Sequence, residues 1–572
     1  MKAQHAGVGG SWARHVSSQT RVRRASDRKL FSKSSTRVVI PTLLVATVAA
    51  TVLGGPSMIL IPTLAGALGW AAFSLSLDTV LPSIAFLLLA LNNPSGQPAE
   101  NKVHWFLNPL GTFLYKNLPP KFALADVLIG LLVFRAATVL VLSDREVGLN
   151  RRPPRPFAQA CLFGVLAIIG LEFWGVFVNG GNFQQSLWQL RVPLLVPAFA
   201  LAVAVAATDL GIRRLRFALF AAGFVKVAEA IWVTYGTGLK ANTSGAYVTT
   251  HSDSVIWVTC LLILIATWLE TRKRSDFRLM LVASPFFLLA IELNNRRVAW
   301  VALLAGTLFL LTVAHRPVKR QLGRYLSLTW PLLVVYIVVG FASQSASPIF
   351  LPINKIASVS TKKDVSTDTR DIENFNLLVT LKEKPVLGYG FGHQYNEFVV
   401  AYQIKDAFSQ YRYLPHNSFL GFWAFNGLIG PSIYFLLPVV SVFYAVSTRR
   451  RSINPQHRAA GAWSVCIVIA YLIQSWADLG MQDWAAMICV GIAYGASGSL
   501  GRSLIAEGRP SRVRDHRFEY VDEDQVPPAL RQPEAAASGR LPSPRARQSV
   551  AAAIVRESEP PWAGRDVASA QR

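Results

Sequence analysis

His416 and Asn417 stand where a long hydrophilic stretch gives way to an apolar run, after a segment that carries Arg370, Asp371, Glu373 and the run Gly388-Tyr389-Gly390-Phe391-Gly392. An imidazole titrates near neutral pH and can take a proton from a hydroxyl within hydrogen-bond reach. Arginines interrupt or open apolar runs at Arg191, Arg296 and Arg297. A guanidinium at such a place is costly unless it is paired or bound to an anion. It grips phosphate oxygens bidentately and keeps its charge at any physiological pH. The set suits a diphosphate leaving group. His416 would deprotonate a hydroxyl acceptor attacking the carbon that bears the diphosphate, and the arginines would stabilise the departing charge. Nothing in the set suggests a metal-ligand cluster or a cofactor, so arginine is expected to take the role a metal plays elsewhere.

The rest of the chain looks like the scaffold for these residues. It has 572 residues, 52% of them hydrophobic, and its apolar residues fall in blocks rather than scattered through several cores. The blocks have the roughly 17–25 residues that cross a bilayer. Spans are predicted near 38–53, 57–75, 77–91, 123–142, 157–178, 190–207, 215–235, 254–270, 278–293, 298–314, 326–342, 419–446, 460–476 and 484–500. The expectation is therefore an all-α polytopic membrane protein of about 14 transmembrane helices with one large loop, residues 343–417. The block from 419 to 446 exceeds one crossing, and its first turns, before Asn426-Gly427, are expected at the interface or as a re-entrant piece. Residues 1–37 and 501–572 lack apolar periodicity and read as disordered tails around a 38–500 transmembrane domain. The retained first span argues against a cleavable signal peptide.

Charge tests this layout. The formal net charge is +25, concentrated in the tails and short loops, with no interleaved aromatic and basic stripe that would suit nucleic acid. With the N-terminus cytoplasmic, Arg151-Arg152, Arg213-Arg214, Arg272-Lys273-Arg274, Lys319-Arg320 and Arg449-Arg450-Arg451 all fall inside. That satisfies the positive-inside rule with both termini cytoplasmic. The lysines between 92 and 122 are a mild violation, explained by an interfacial piece around Trp105 to Tyr115. His416, Arg370, Arg191, Arg296, Arg297, His251, Asp253, Asp478 and Asp483 then share the outer side. The four cysteines lie singly within apolar blocks and read as small buried hydrophobes.

These residues resemble a known family. His416-Asn417, nine further residues, then Gly427-Leu428-Ile429-Gly430 is similar to the His-Asn/Ser-x9-Gly signature of the O-antigen ligase and polymerase superfamily. Arg370-Asp371-Ile372-Glu373-Asn374 and Lys384 to Gly392 resemble its large periplasmic loop. Asn294-Asn295-Arg296-Arg297-Val298-Ala299 resembles its Ser-Arg-x-Ala motif, with Asn295 or Arg296 where serine is usual, so either arginine fits, Arg297 slightly better. The resemblance covers about residues 190 to 445. It implies a GT-C-type, metal-independent bacterial inner-membrane glycosyltransferase that draws oligosaccharide from undecaprenyl diphosphate on the periplasmic face. It also implies catalytic roles for His416 and Arg370, with Arg297, Arg296, Arg191 and Asn417 binding substrate. A Wzy-type polymerase of surface polysaccharide is favoured, and an O-antigen ligase acting on lipid A-core is the alternative. Flippase and chain-length regulator proteins are the expected partners, besides membrane lipid.

Blander readings compete with each assignment. His416 would sit at a helix start capped by Asn417 and Ser418. Arg370 would be a first-turn residue of an amphipathic helix with Ile372, Phe375 and Val379 inward. Arg296 and Arg297 would snorkel to lipid phosphates. The glycine run would be a turn rather than a phosphate cradle. His251 and Asp253 suggest an acid–base pair or solvated loop residues. Asp478 and Asp483, between Trp476 and Trp484, read as an interfacial belt and short turn. Lys226 and Glu229, one helical turn apart, are the best argument for a third reading, a lipid-linked glycan flippase, unless they pair with each other.

Overall fold

The computed structural model describes residues 74–90, 123–142, 150–236, 248–250, 252–314, 316–343, 350, 353, 365–400 and 410–508. The two tails, the spans expected at 38–53 and 57–75, the interfacial piece near Trp105, His251 and parts of the large loop lie outside these residues, save for the last residues of the second span and the first few of the C-terminal tail.

Every described element is a helix. In chain order they are α1 (Leu77–Ala90), α2 (Leu124–Leu142), α3 (Arg155–Glu172), α4 (Phe183–Ala206), α5 (Asp209–Ile231), α6 (Asp253–Thr271), α7 (Arg274–Leu293), α8 (Arg297–Val313), α9 (Arg316–Ser343) and α10 (Val365–Glu383). Then follow α11 (Ser418–Asn426), α12 (Ile429–Tyr434), α13 (Leu436–Arg451), α14 (Pro455–Ala477) and α15 (Trp484–Gly508). Short π-helical segments extend α3 through Phe173–Val178 and α5 through Trp232–Gly236.

Among the described residues, seven helices are long and apolar enough to cross a membrane: Arg155–Val178, Phe183–Ala206, Asp209–Gly236, Asp253–Thr271, Ile429–Arg451, Pro455–Ala477 and Trp484–Glu507. Helices α1, α2, α7, α8 and α9 lie over five more of the expected spans, several of them shorter or charged at one end. The 419–446 block is not one continuous helix. It breaks at Gly427, whose φ of +57° closes α11 before α12 begins. Asn182 caps α4, Thr208 caps α5 and Asn454 caps α14, each accepting a first-turn N–H.

The core forms where α4 packs on α15, α6 on α14 and α5 on α1. Close approach depends on small residues, as is usual between helices in lipid. A Cβ at Gly491 would come within 2.5 Å of the Phe199 ring, and one at Gly495 within 2.4 Å of Val203 Cβ. Leu162, Leu166, Ile169 and Phe173 stand exposed on the outer face of α3, the side a lipid environment would cover.

A histidine held between two helices

Helix α10 faces α11, and a small satellite core holds the two together. Leu377 and Tyr395 pack there with Tyr411, Leu420, Ala424 and Phe425, apart from the main core of the bundle. The inward face of α10 differs from the amphipathic expectation. Phe375 is exposed, while Glu373, Asn376 and Thr380 are buried. Their polar atoms tether the rest of the loop. Asn376 Oδ1 accepts the N–H groups of Phe398 and Val399, and Thr380 Oγ1 accepts that of Asn396. Buried polar groups persist when such partners satisfy them.

Glu373 is the partner of His416. Its Oε2 accepts the His416 backbone N–H at 3.0 Å and lies 3.3 Å from Nδ1 of the same residue. The second contact has ion-pair distance without the alignment of a hydrogen bond. Nδ1 is buried and the side chain keeps 23% exposure, which leaves the opposite edge of the ring accessible. A carboxylate beside Nδ1 favours the proton on that nitrogen and the lone pair on Nε2. Asn417 does two jobs: its Oδ1 caps α11 by accepting the Leu420 N–H at 3.0 Å, and its Nδ2 donates to Asn374 Oδ1 at 3.1 Å. The capping reading holds for this residue, which also bonds to the loop helix α10.

Arg370, Glu373 and Asn374 are spaced i, i+3, i+4 on α10 and share one face. Arg370 therefore sits one turn from the residues that hold His416 and Asn417, deeper in the helix than a first-turn residue. It is half-buried and forms no ion pair among the described residues.

The glycine spacing has a physical cause. The nine residues between Asn417 and Gly427 are α11 itself, and Gly427 ends it against the loop backbone. A Cβ there would lie 2.4 Å from the Val386 carbonyl, and one at Gly388 would lie 2.0 Å from the Phe425 oxygen. The run from Gly388 to Gly392 spends its amides inside the protein. Gly388 N–H donates to Lys384 O at 3.0 Å, Gly390 N–H to Phe425 O at 2.8 Å and Gly392 N–H to Gln189 Oε1 at 2.6 Å. It is a packed turn against the π-helical end of α3, where Trp174 Nε1 donates to Gly388 O at 3.2 Å. A phosphate cradle is not what these three amides form.

The other arginines lie at the same end of the bundle. Gln189 of α4 donates to Tyr413 O at 2.9 Å, three residues before His416, and Arg191 follows two residues later. Arg191 has a structural partner, with its Nε 3.6 Å from Asp126 Oδ2 on α2. Arg296 caps α8 and Arg297 begins it, after a turn in which Asn295 takes φ +54°. Asn294 fixes that turn. Its side chain accepts the Thr249 N–H at 3.2 Å and donates to Thr250 O at 3.1 Å and Ser254 Oγ at 2.9 Å.

A polar path joins this corner to His416. Ser418 Oγ lies 3.0 Å from Ser475 O and 3.1 Å from Asp478 O, and accepts the Met481 N–H at 3.0 Å. The same turn ends in Asp483, which caps α15 through the Ala486 N–H and is hydrogen-bonded to Ser252 at the start of α6. Burial, opposed by those bonds and aided by Asp478 and Asp253, pushes the Asp483 carboxyl up to about 6. Asp478 and Asp483 thus anchor the short turn expected between Trp476 and Trp484. Asp253 pairs with Lys226 at 3.4 Å, and Lys226 lies 3.1 Å from Glu229, all three buried.

Sequence alone pointed to His416, Asn417 and Arg370 but gave Glu373 and Asn294 no role. The signal for Glu373 was its place on the helix, one turn after Arg370. Residues 282–435, from within α7 through α12, match the family model described as O-antigen ligase. This range contains Arg296, Arg297, Arg370, His416 and Asn417, and leaves Arg191 outside. No curated protein matches the chain.

Proposed function

We propose that this chain, which belongs to the O-antigen ligase and polymerase superfamily through residues 282–435, transfers glycan from a lipid diphosphate carrier to a hydroxyl acceptor at the membrane surface bearing its large loop. The observation that carries this reading is the His416–Glu373 pair, set one helical turn from an arginine without an ion-pair partner among the described residues. In the reaction the acceptor oxygen bonds to the anomeric carbon as the bond from that carbon to the diphosphate oxygen breaks. His416 takes the acceptor proton on Nε2. Glu373 faces Nδ1 of the ring and orients it toward the acceptor. The diphosphate departs with its charge against Arg370 and the arginines of the α7–α8 corner, a preorganised electrostatic role that replaces a metal.

The carrier in this reading is undecaprenyl diphosphate, the membrane the bacterial inner membrane and the acceptor a second lipid-linked repeat unit, which makes the enzyme a polymerase. Flippase and chain-length regulator proteins would work beside it. The Lys226–Glu229–Asp253 cluster supports this over transport, because Lys226 is paired with both acidic residues within the bundle. A gel of surface polysaccharide from a deletion strain complemented with wild type, His416→Ala or Arg370→Ala tests the reading. Loss of long chains with a single repeat still attached is the polymerase result. Polymer accumulating on the carrier with none attached is the ligase result. Wild-type glycan from both variants overturns the site.

A further inference from the structure

The end of the bundle remote from His416 carries its own cavity. Helix α4 runs from Gln189, bonded to Tyr413 near the histidine, to Ala206, seventeen residues on. At 1.5 Å per residue that is about 26 Å, and α5 starts just beyond. There a cavity of about 170 Å³ opens between the first turns of α5 and α14 and the last turns of α6. Asp209, Arg213, Arg216, Asn454, Gln456 and His457 form its polar wall, and Trp463 with two alanines its apolar floor.

The charge in this cavity is unbalanced. His457 Nε2 lies 3.0 Å from Asp209 Oδ1, so the one carboxylate in the wall already has a partner. Arg213 and Arg216 form no ion pair among the described residues. Arg216 Nε is buried without a hydrogen-bond partner, and its NH1 reaches Gln456 Oε1 only at 3.5 Å. Asp276 lends Arg216 a favourable field, but its Oδ2 accepts the Thr271 hydroxyl at 2.5 Å. Two helix N-termini open on the same space and add the positive ends of their dipoles. Arg216 is half-buried with its Nε unsatisfied and no ion pair among the described residues, and a phosphate satisfies such a guanidinium through two parallel hydrogen bonds.

We propose that this cavity binds a phosphate group, presented by an anionic lipid head group or by free phosphate. Basic pockets between membrane helices are suited to such head groups. All four native cysteines are buried, so a Gln456→Cys variant of the full-length protein gives a readable thiol on the cavity wall. Its maleimide labelling rate is measured in phosphatidylcholine nanodiscs, in nanodiscs with added phosphatidylglycerol, and in phosphatidylcholine with inorganic phosphate. Slower labelling with phosphatidylglycerol alone assigns a lipid head group, and slower labelling with inorganic phosphate as well assigns the phosphate itself. Adding Arg213→Gln and Arg216→Gln is expected to raise the concentration for half-protection about thirtyfold, given about 1 kcal/mol per cation. Should that variant fail to insert, Arg213→Gln alone, at an exposed position, is expected to raise it about fivefold. Equal labelling in all three media, or protection that survives the arginine substitutions, overturns the proposal.

Discussion

One carboxylate oxygen of Glu373 accepts the backbone N–H of His416 and also sits 3.3 Å from Nδ1 of the same residue. Backbone and ring are therefore held by a single group from a helix that begins some fifty residues earlier. Glu373→Gln keeps the hydrogen bond to the backbone and removes the charge. Transfer by this variant is expected to fall about tenfold, part of the 10²–10⁴-fold a positioned base supplies. Turnover of purified enzyme on lipid-linked glycan checks it, and an unchanged rate would show that the carboxylate has only a scaffolding role.

Arg370→Lys separates charge from shape. A lysine keeps the positive charge and loses the planar fork that holds two oxygens at once. Both Arg370→Ala and Arg370→Lys are expected to lose activity, the alanine variant by about 10²–10³-fold, the cost of removing one preorganised donor. Full activity in the lysine variant would show that a point charge suffices.

The asparagine before the arginine pair is expected to matter without touching substrate. Asn294→Ala removes three hydrogen bonds that fix the α7–α8 turn. Each buried partner left unsatisfied costs about 1–3 kcal/mol. The expected result is a lower melting temperature in detergent together with a raised KM. A variant as stable as wild type would remove Asn294 from the account of the corner.

Asp483 makes stability depend on pH. Its carboxyl titrates at about 6 in the folded protein against an ordinary value of 3.8, so the native state holds the proton more tightly. Its stabilising contribution is full below about pH 4 and is lost as pH rises through 6. Asp483→Asn, which keeps a cap for Ala486, is expected to gain stability relative to wild type at pH 8 and not at pH 4. At about 1.36 kcal/mol per pK unit, the ceiling is about 3 kcal/mol. Parallel melting curves across that range decide it.

Much of the scaffold was legible because lipid leaves the backbone few choices. Among the described residues the apolar runs of spanning length are helices, and the 419–446 block, whose turns before Asn426-Gly427 were set apart from the span, divides at Gly427. The place of His416 and Asn417 at the start of a helix that ends at Gly427 was legible because capping chemistry and spacing agreed. The inward face of α10 was not, since periodicity counts apolar residues and here Glu373, Asn376 and Thr380 are buried by the partners they bind. The glycine run was expected to be a turn more often than a phosphate cradle, and it is a turn. Free amides in sequence look available to a phosphate, and only folding shows that Phe425 and Gln189 have taken them.

Ser418 bonds to the turn between the last two helices through its hydroxyl. That places an order on the birth of the protein. The histidine leaves the ribosome more than sixty residues ahead of Met481, and Ser418 has its three partners only once the chain has been made through Met481. A chain truncated before Ser475 keeps the Glu373 and Asn374 contacts to His416 and Asn417 but leaves the first turn of α11 without the partners of its Ser418 hydroxyl.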